Sequence, residues 1–145
     1  MNGSATCSGG DTGPARSPTV LHVDDDPVFL ELTSELLGRV GVEVLSEAEP
    51  AAVADRLETA TVDAIVSDYD MPVLDGGALL ERVRAEHPSI PFVLFTGLER
   101  GELPADVTDE GRARYVQKRG ATSFDRLAST VRSVVDDADG HAVGR

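Results

Sequence analysis

Five short apolar runs, spaced by helix-like stretches, constrain the fold of this chain more than any other feature. They are "TVLHV" (19–23), "VEVLS" (42–46), "DAIVS" (63–67), "PFVLF" (91–95) and "RYVQ" (114–117). Runs of this length with helical patterns between them indicate parallel strands covered on both faces. Asp26 caps a first helix with Pro27 at its first position, and Leu30, Leu32, Leu36 and Leu37 supply an apolar stripe before Gly38 and Gly41 end it. Residues 50–60 predict a second helix and 76–86 a third, on Leu79, Leu80 and Val83. A last helix over 122–137 rests on Phe124, Leu127, Val131, Val134 and Val135. Between 98 and 112, Gly101, Pro104 and Gly111 leave room for a turn or two at most.

The pattern predicts an α/β fold, (βα)5, in which an open doubly wound parallel sheet of five strands forms one domain over 19–137. The Gly-, Ser-, Thr- and Pro-rich leader at 1–18 and the tail at 138–145 are expected to be disordered. Cys7 stands alone in that leader and has no visible role, so no intramolecular disulfide forms and a reducing, cytoplasmic setting is expected. No apolar run approaches a membrane span.

Open α/β sheets place their sites beyond the carboxyl ends of the strands. The first strand delivers Asp24 and Asp25, the third Asp68, the fourth Thr96 and the fifth Lys118. Three carboxylates and one ammonium leave excess negative charge, which a hard divalent cation such as Mg²⁺ (or Mn²⁺) resolves through oxygen ligands. The set suits phosphoryl transfer to a carboxylate. Asp68 is the nucleophile, Lys118 and the metal neutralise the transferred group, and the Thr96 hydroxyl hydrogen-bonds one of its oxygens. His22, inside an apolar strand and without metal-ligand spacing, reads as a structural histidine whose ring is hydrogen-bonded.

Charge narrows the partners. A net charge of -13 offers nothing to release counterions from a nucleic acid, so direct DNA or RNA binding is not expected. Twelve of the 13 basic residues are Arg and only Lys118 is Lys, which together with the acidity suggests a haloarchaeal-type, halophilic composition.

The ordered set "VLHVDDDP", "AIVSDYDMPVLDG", "LFTG" and "YVQK" resembles the receiver domain of two-component response regulators, over residues 19 to about 137. That resemblance implies a flavodoxin-like sheet of order 2-1-3-4-5. It also implies Asp68 as the acceptor of phosphate from a histidine kinase or phosphotransfer protein, with Asp24 and Asp25 binding Mg²⁺. Asp70 would lend a backbone carbonyl to the metal, Thr96 and Lys118 would sense the acyl phosphate, and Tyr115 would switch with Thr96. A single-domain regulator follows, signalling through an unknown downstream protein, with no membrane association, as a monomer or weak dimer. In such a protein the acyl phosphate forms and decays without turnover of external substrates.

The chain departs from the family pattern in two places: Arg119 stands where a Pro usually follows the Lys, and the fourth helix is eroded around Pro104. Two other functions fit part of the pattern. One is a receiver-like docking module that does not switch. The other is a haloacid-dehalogenase-type phosphatase, in which Asp68 and Asp70 form the D-x-D pair. In a receiver, a carboxylate at Asp70, two residues after the acceptor, would orient an attacking water and shorten the phosphoryl lifetime, or would repel the phosphodonor.

Overall fold

The computed structural model describes residues 17–71, 74–108, 113–120 and 122–143. Strands β1 (Thr19–Val23), β2 (Glu43–Glu47), β3 (Ala64–Ser67), β4 (Phe92–Thr96) and β5 (Arg114–Gln117) form one sheet in the order β2-β1-β3-β4-β5, every pairing parallel. Helices α1 (Pro27–Arg39), α2 (Val53–Thr59), α3 (Gly76–Glu86), α4 (Ala105–Thr108) and α5 (Ser123–Val143) lie between and after them, with single 3-10 turns at Pro50–Ala52 and Arg100–Glu102. The expected flavodoxin-like architecture is therefore present.

Alternation along the strands divides the core into two layers. Leu21, Val23, Ile65, Phe92 and Leu94 pack on one face against Val53, Leu79, Leu80, Val83 and Val107 of α2, α3 and α4. Val20, Val66, Val93, Phe95 and Val116 pack on the other against Leu37 of α1 and Leu127, Val131, Val134 and Val135 of α5. Each such side chain stabilises the fold by about 1.5–3 kcal/mol when fully buried. The central strands β3 and β4 are buried along their whole length, which fixes the rim where the acidic residues emerge.

Three local expectations change. On α1 the buried residues are Leu30, Thr33 and Leu37, while Leu32 is exposed. A residue two places along a helix turns by about 200° and cannot share the stripe of Leu30, whereas Thr33 and Leu37 can. Gly38 is inside α1 rather than ending it, and the turn falls at Gly41, whose φ of 88° favours glycine. α5 continues past residue 137 to Val143, since no proline there interrupts the backbone ladder. The eroded fourth helix is the four-residue α4. The leader up to residue 16 with Cys7, the Pro72 part of the loop after β3, and Gly111 lie outside the described residues. Among the described residues, no helix is long and apolar enough to cross a membrane.

Candidate functional site

The site is built at the carboxyl ends of β1 and β3. Because β1 lies beside β3, with Val23 opposite Ser67, the residues that leave the two strands emerge side by side. The Asp24 amide donates to the Glu47 carbonyl at 3.1 Å and the Asp68 amide to the Val23 carbonyl at 3.0 Å, so the sheet ladder itself delivers both acids. One carboxylate oxygen from each of Asp24, Asp25 and Asp68 lies within 4.8 Å of the others. Asp24 and Asp68 are buried and Asp25 faces solvent. Asp26 takes the separate task expected of it and caps α1, its Oδ1 accepting from the amides of Val28 at 3.0 Å and Phe29 at 3.4 Å.

Lys118 reaches this group from the end of β5. Its ammonium donates to Asp24 Oδ2 at 2.8 Å and to Asp68 Oδ2 at 3.3 Å. The Lys118 amide in turn donates to the Thr96 carbonyl at 2.7 Å, tying the ends of β4 and β5 together. Burial pushes the Asp24 carboxyl above its ordinary range, against the pull of Lys118 and of the Asp26 amide that donates to it at 2.9 Å. Two like charges about 4 Å apart repel by roughly 4 kcal/mol at an effective dielectric near 20. Three carboxylates around one ammonium therefore retain an uncompensated charge. An all-oxygen donor set with one solvent-facing member suits a hard cation that keeps some of its waters.

The other sequence candidates occupy adjoining positions. Thr96 is buried at the end of β4, its hydroxyl accepting from the Leu98 amide at 3.4 Å. The Tyr115 hydroxyl donates to the Leu98 carbonyl at 2.6 Å, and the Arg100 guanidinium stacks over its ring at 4.8 Å. Partial desolvation raises the phenol's pKa. Thr96 and Tyr115 thus hold the same residue, Leu98, from its two ends. The Asp70 side chain is exposed, and its amide donates to Asp68 Oδ1 at 3.4 Å. Arg119 spans to Glu99 at 3.6 Å on the surface, and the chain turns after it at Gly120 with φ 82°. A phosphatase of the haloacid-dehalogenase type carries its nucleophile on the first strand and needs a late acidic pair near the metal; here Asp68 follows β3, and the late acid Asp137 pairs with Arg114 on the surface at 3.3 Å.

Gly76 sets the distance between the loop after β3 and α3. Its amide donates to the Tyr69 carbonyl at 2.8 Å, and a Cβ there would sit 2.7 Å from the Asp68 carbonyl oxygen and 2.8 Å from Tyr69 Cα. Both obstacles are backbone. Gly76→Ala is expected to destabilise the domain by about 1–3 kcal/mol, the usual range for overpacking. Thermal unfolding of Gly76→Ala and Gly77→Ala checks this, with a fall of roughly 5–10 °C expected for the first. Gly77→Ala should change little, because its Cβ would meet side-chain atoms alone, the Tyr69 ring edge and a Val107 methyl at 3.3 Å and Asp75 Oδ1 at 3.4 Å, and no backbone.

A family profile described as "Response regulator receiver domain" matches residues 20–132. The chain belongs to the response regulator receiver family. Among curated proteins this receiver is 34% identical over 124 residues to protein-glutamate methylesterase/protein-glutamine glutaminase 1 of Anaeromyxobacter dehalogenans, covering 83% of this chain and 35% of that protein. It is 30% identical over 124 residues to the transcriptional regulatory protein FixJ of Bradyrhizobium diazoefficiens, covering 81% of this chain and 56% of that protein. This receiver therefore spans about a third to a half of the length of these relatives. The solved signal receiver domain of an HD domain-containing protein from Pseudomonas fluorescens matches with a TM-score of 0.76 and 26% identity, over 86% of this chain and 99% of that one.

Sequence reasoning missed the aromatic surroundings of Lys118. Phe29 of α1, Phe95 of β4 and Phe124 of α5 meet with ring centroids 5.5–5.7 Å apart, and the Lys118 ammonium sits 4.1 Å from the Phe29 centroid. The available signal was the placement of Phe29 just inside α1, directly after the acid cluster.

Proposed function

We propose that this receiver is a Mg²⁺-dependent phosphoacceptor that takes a phosphoryl group onto Asp68 from a histidine kinase or phosphotransfer protein in the cytoplasm, and passes the signal on through protein contacts. The observation that carries the reading is the carboxylate trio within 4.8 Å, with the chain's single Lys between two of its members. Asp24, Asp25 and Asp68, with the Asp70 carbonyl, would hold the cation. When bound, Mg²⁺ supplies positive charge against the carboxylates and the phosphoryl oxygens. A carboxylate oxygen of Asp68 attacks the phosphorus of the donor's phosphohistidine. The P–O bond to Asp68 forms as the P–N bond breaks, and the electron pair returns to the imidazole nitrogen. Lys118 neutralises charge on the transferred group, and Thr96 donates its hydroxyl to one of its oxygens.

Transfer of the Thr96 hydroxyl to the phosphoryl group takes it from the Leu98 amide, and Tyr115 is bonded to the carbonyl of that residue. The loop after β4 then exchanges one arrangement for another, and Tyr115 moves with it. Intact mass after incubation with acetyl phosphate tests the proposal. One phosphoryl adduct is expected with Mg²⁺, and none when the cation is chelated. Absence of both the adduct and beryllofluoride binding would instead indicate a docking module that does not switch.

A further inference from the structure

We propose that Phe29 is a positioning residue for phosphoryl transfer, the face of its ring seating the Lys118 ammonium; this rests on the phosphoacceptor reading above. Lys118 Nζ lies 4.1 Å from the Phe29 ring centroid and 6.0 Å from that of Phe95. Both distances are within the reach of the attraction between a cation and the negative face of an aromatic ring. The seat is itself braced. Phe29 packs on Phe95 and Phe124 at 5.5 Å each, and the edge of His22 approaches it at 6.1 Å, so β1, β4 and α5 together fix a ring carried by α1.

A long flexible ammonium stem loses substantial freedom when it is held in one place, and the contacts that hold it decide where the charge sits. Two of those contacts, to Asp24 and Asp68, change during the reaction. A dication beside these carboxylates weakens their pull on Lys118, and esterification of Asp68 alters the charge and shape of one of them. The aromatic face keeps its charge distribution throughout. It is the contact that keeps the ammonium at the rim in every state of the site. The ring also leaves the ammonium's N–H groups pointing at the acids, where a phosphoryl oxygen would arrive. Leucine at this position would fill much of the volume and offer no such face.

Because Lys118 is the only lysine in the chain, ¹³C-lysine labelling yields a spectrum of this one side chain. The test compares wild type, Phe29→Leu, Phe29→Tyr and a series with mono-, di- and trifluorinated phenylalanine at position 29, which weakens the ring's negative face while nearly preserving its shape. The Lys118 ε-methylene resonance is expected to be shifted upfield by the ring in wild type and Phe29→Tyr, and to return to the free-lysine position in Phe29→Leu. The rate of adduct formation with acetyl phosphate and Mg²⁺ is expected to fall stepwise along the fluorinated series. It should drop by about ten-fold in Phe29→Leu, a loss equivalent to roughly 1.4 kcal/mol of barrier. In a Lys118→Met background, fluorination should have no effect on the rate, since the ring acts through the ammonium.

A rate indifferent to fluorination would overturn the proposal, as would an unshifted lysine resonance in wild type. A wild type that forms no adduct would defeat the phosphoacceptor reading instead. The lysine resonance, measured without any phosphodonor, still decides whether the ring holds the ammonium.

Discussion

Replacing Asp68 by Asn is expected to remove the phosphoryl adduct completely while leaving the fold intact. The backbone of residue 68 keeps its bonds in the variant: the amide donates to Val23, and the carbonyl accepts from the Ser67 hydroxyl at 2.8 Å. The amide oxygen of Asn can still accept from the Asp70 amide, and Lys118 keeps its shorter contact, to Asp24. What disappears is the anionic oxygen that, in the proposed function, attacks phosphorus. A carboxamide is a poor nucleophile. Cation binding should weaken as well, since one of three anionic donors is lost. Intact mass with acetyl phosphate and Mg²⁺ reads the outcome, and unchanged thermal unfolding verifies the fold. Asp70→Asn serves as the matched control: its carboxylate is exposed and only its backbone meets Asp68, so the adduct should persist. An adduct surviving in Asp68→Asn would move the acceptor to Asp24 or Asp25.

The parts of this site that were legible in the sequence share one property: they are carried by backbone register. Asp24, Asp68 and Lys118 each follow a strand and Thr96 ends one, and parallel pairing brings strand ends to one rim whatever the side chains between them do. The same logic located β1 and β5 to the residue, β3 to within one residue at its start, and β2 and β4 displaced by one residue. What remained hidden depends on how elements from distant parts of the chain pack. That Phe29, Phe95 and Phe124 converge under Lys118 requires α1, β4 and α5 to share one face of the sheet, and three phenylalanines spread over the sequence do not declare it. Thr33 is a similar case, since a single hydroxyl among leucines on α1 gives way to the rotation of the helix.

His22 departs from expectation more sharply, and it underlies the second large effect: stability that falls steeply as the solution becomes mildly acidic. The residue is structural, as its place in β1 suggested, but neither ring nitrogen has a hydrogen-bond partner among the described residues. The ring is completely buried, with the edge of its imidazole toward Phe29. Burial, reinforced by the positive charge of Lys118, holds its pKa down from 6.5 to about 3. In the unfolded chain the imidazole binds a proton near its ordinary pKa, whereas in the fold it stays neutral. The unfolded state therefore gains protons first, and stability is complete above about pH 6.5 and declines as pH falls toward the folded value. Between pH 7 and pH 5 this one group should remove about 2 kcal/mol, while Asp24, whose carboxyl burial pushes up, takes up its proton first in the fold and works in the opposite direction. Urea unfolding at pH 7, 6 and 5 measures the decline, and His22→Leu isolates it. Leucine fits an apolar site between Val20 and Val66 without a polar atom left to satisfy, so the variant should be at least as stable as wild type at pH 7. It should also lose little between pH 7 and pH 5. A wild type and a His22→Leu variant that decline in parallel over that interval would show that the imidazole takes up its proton inside the fold.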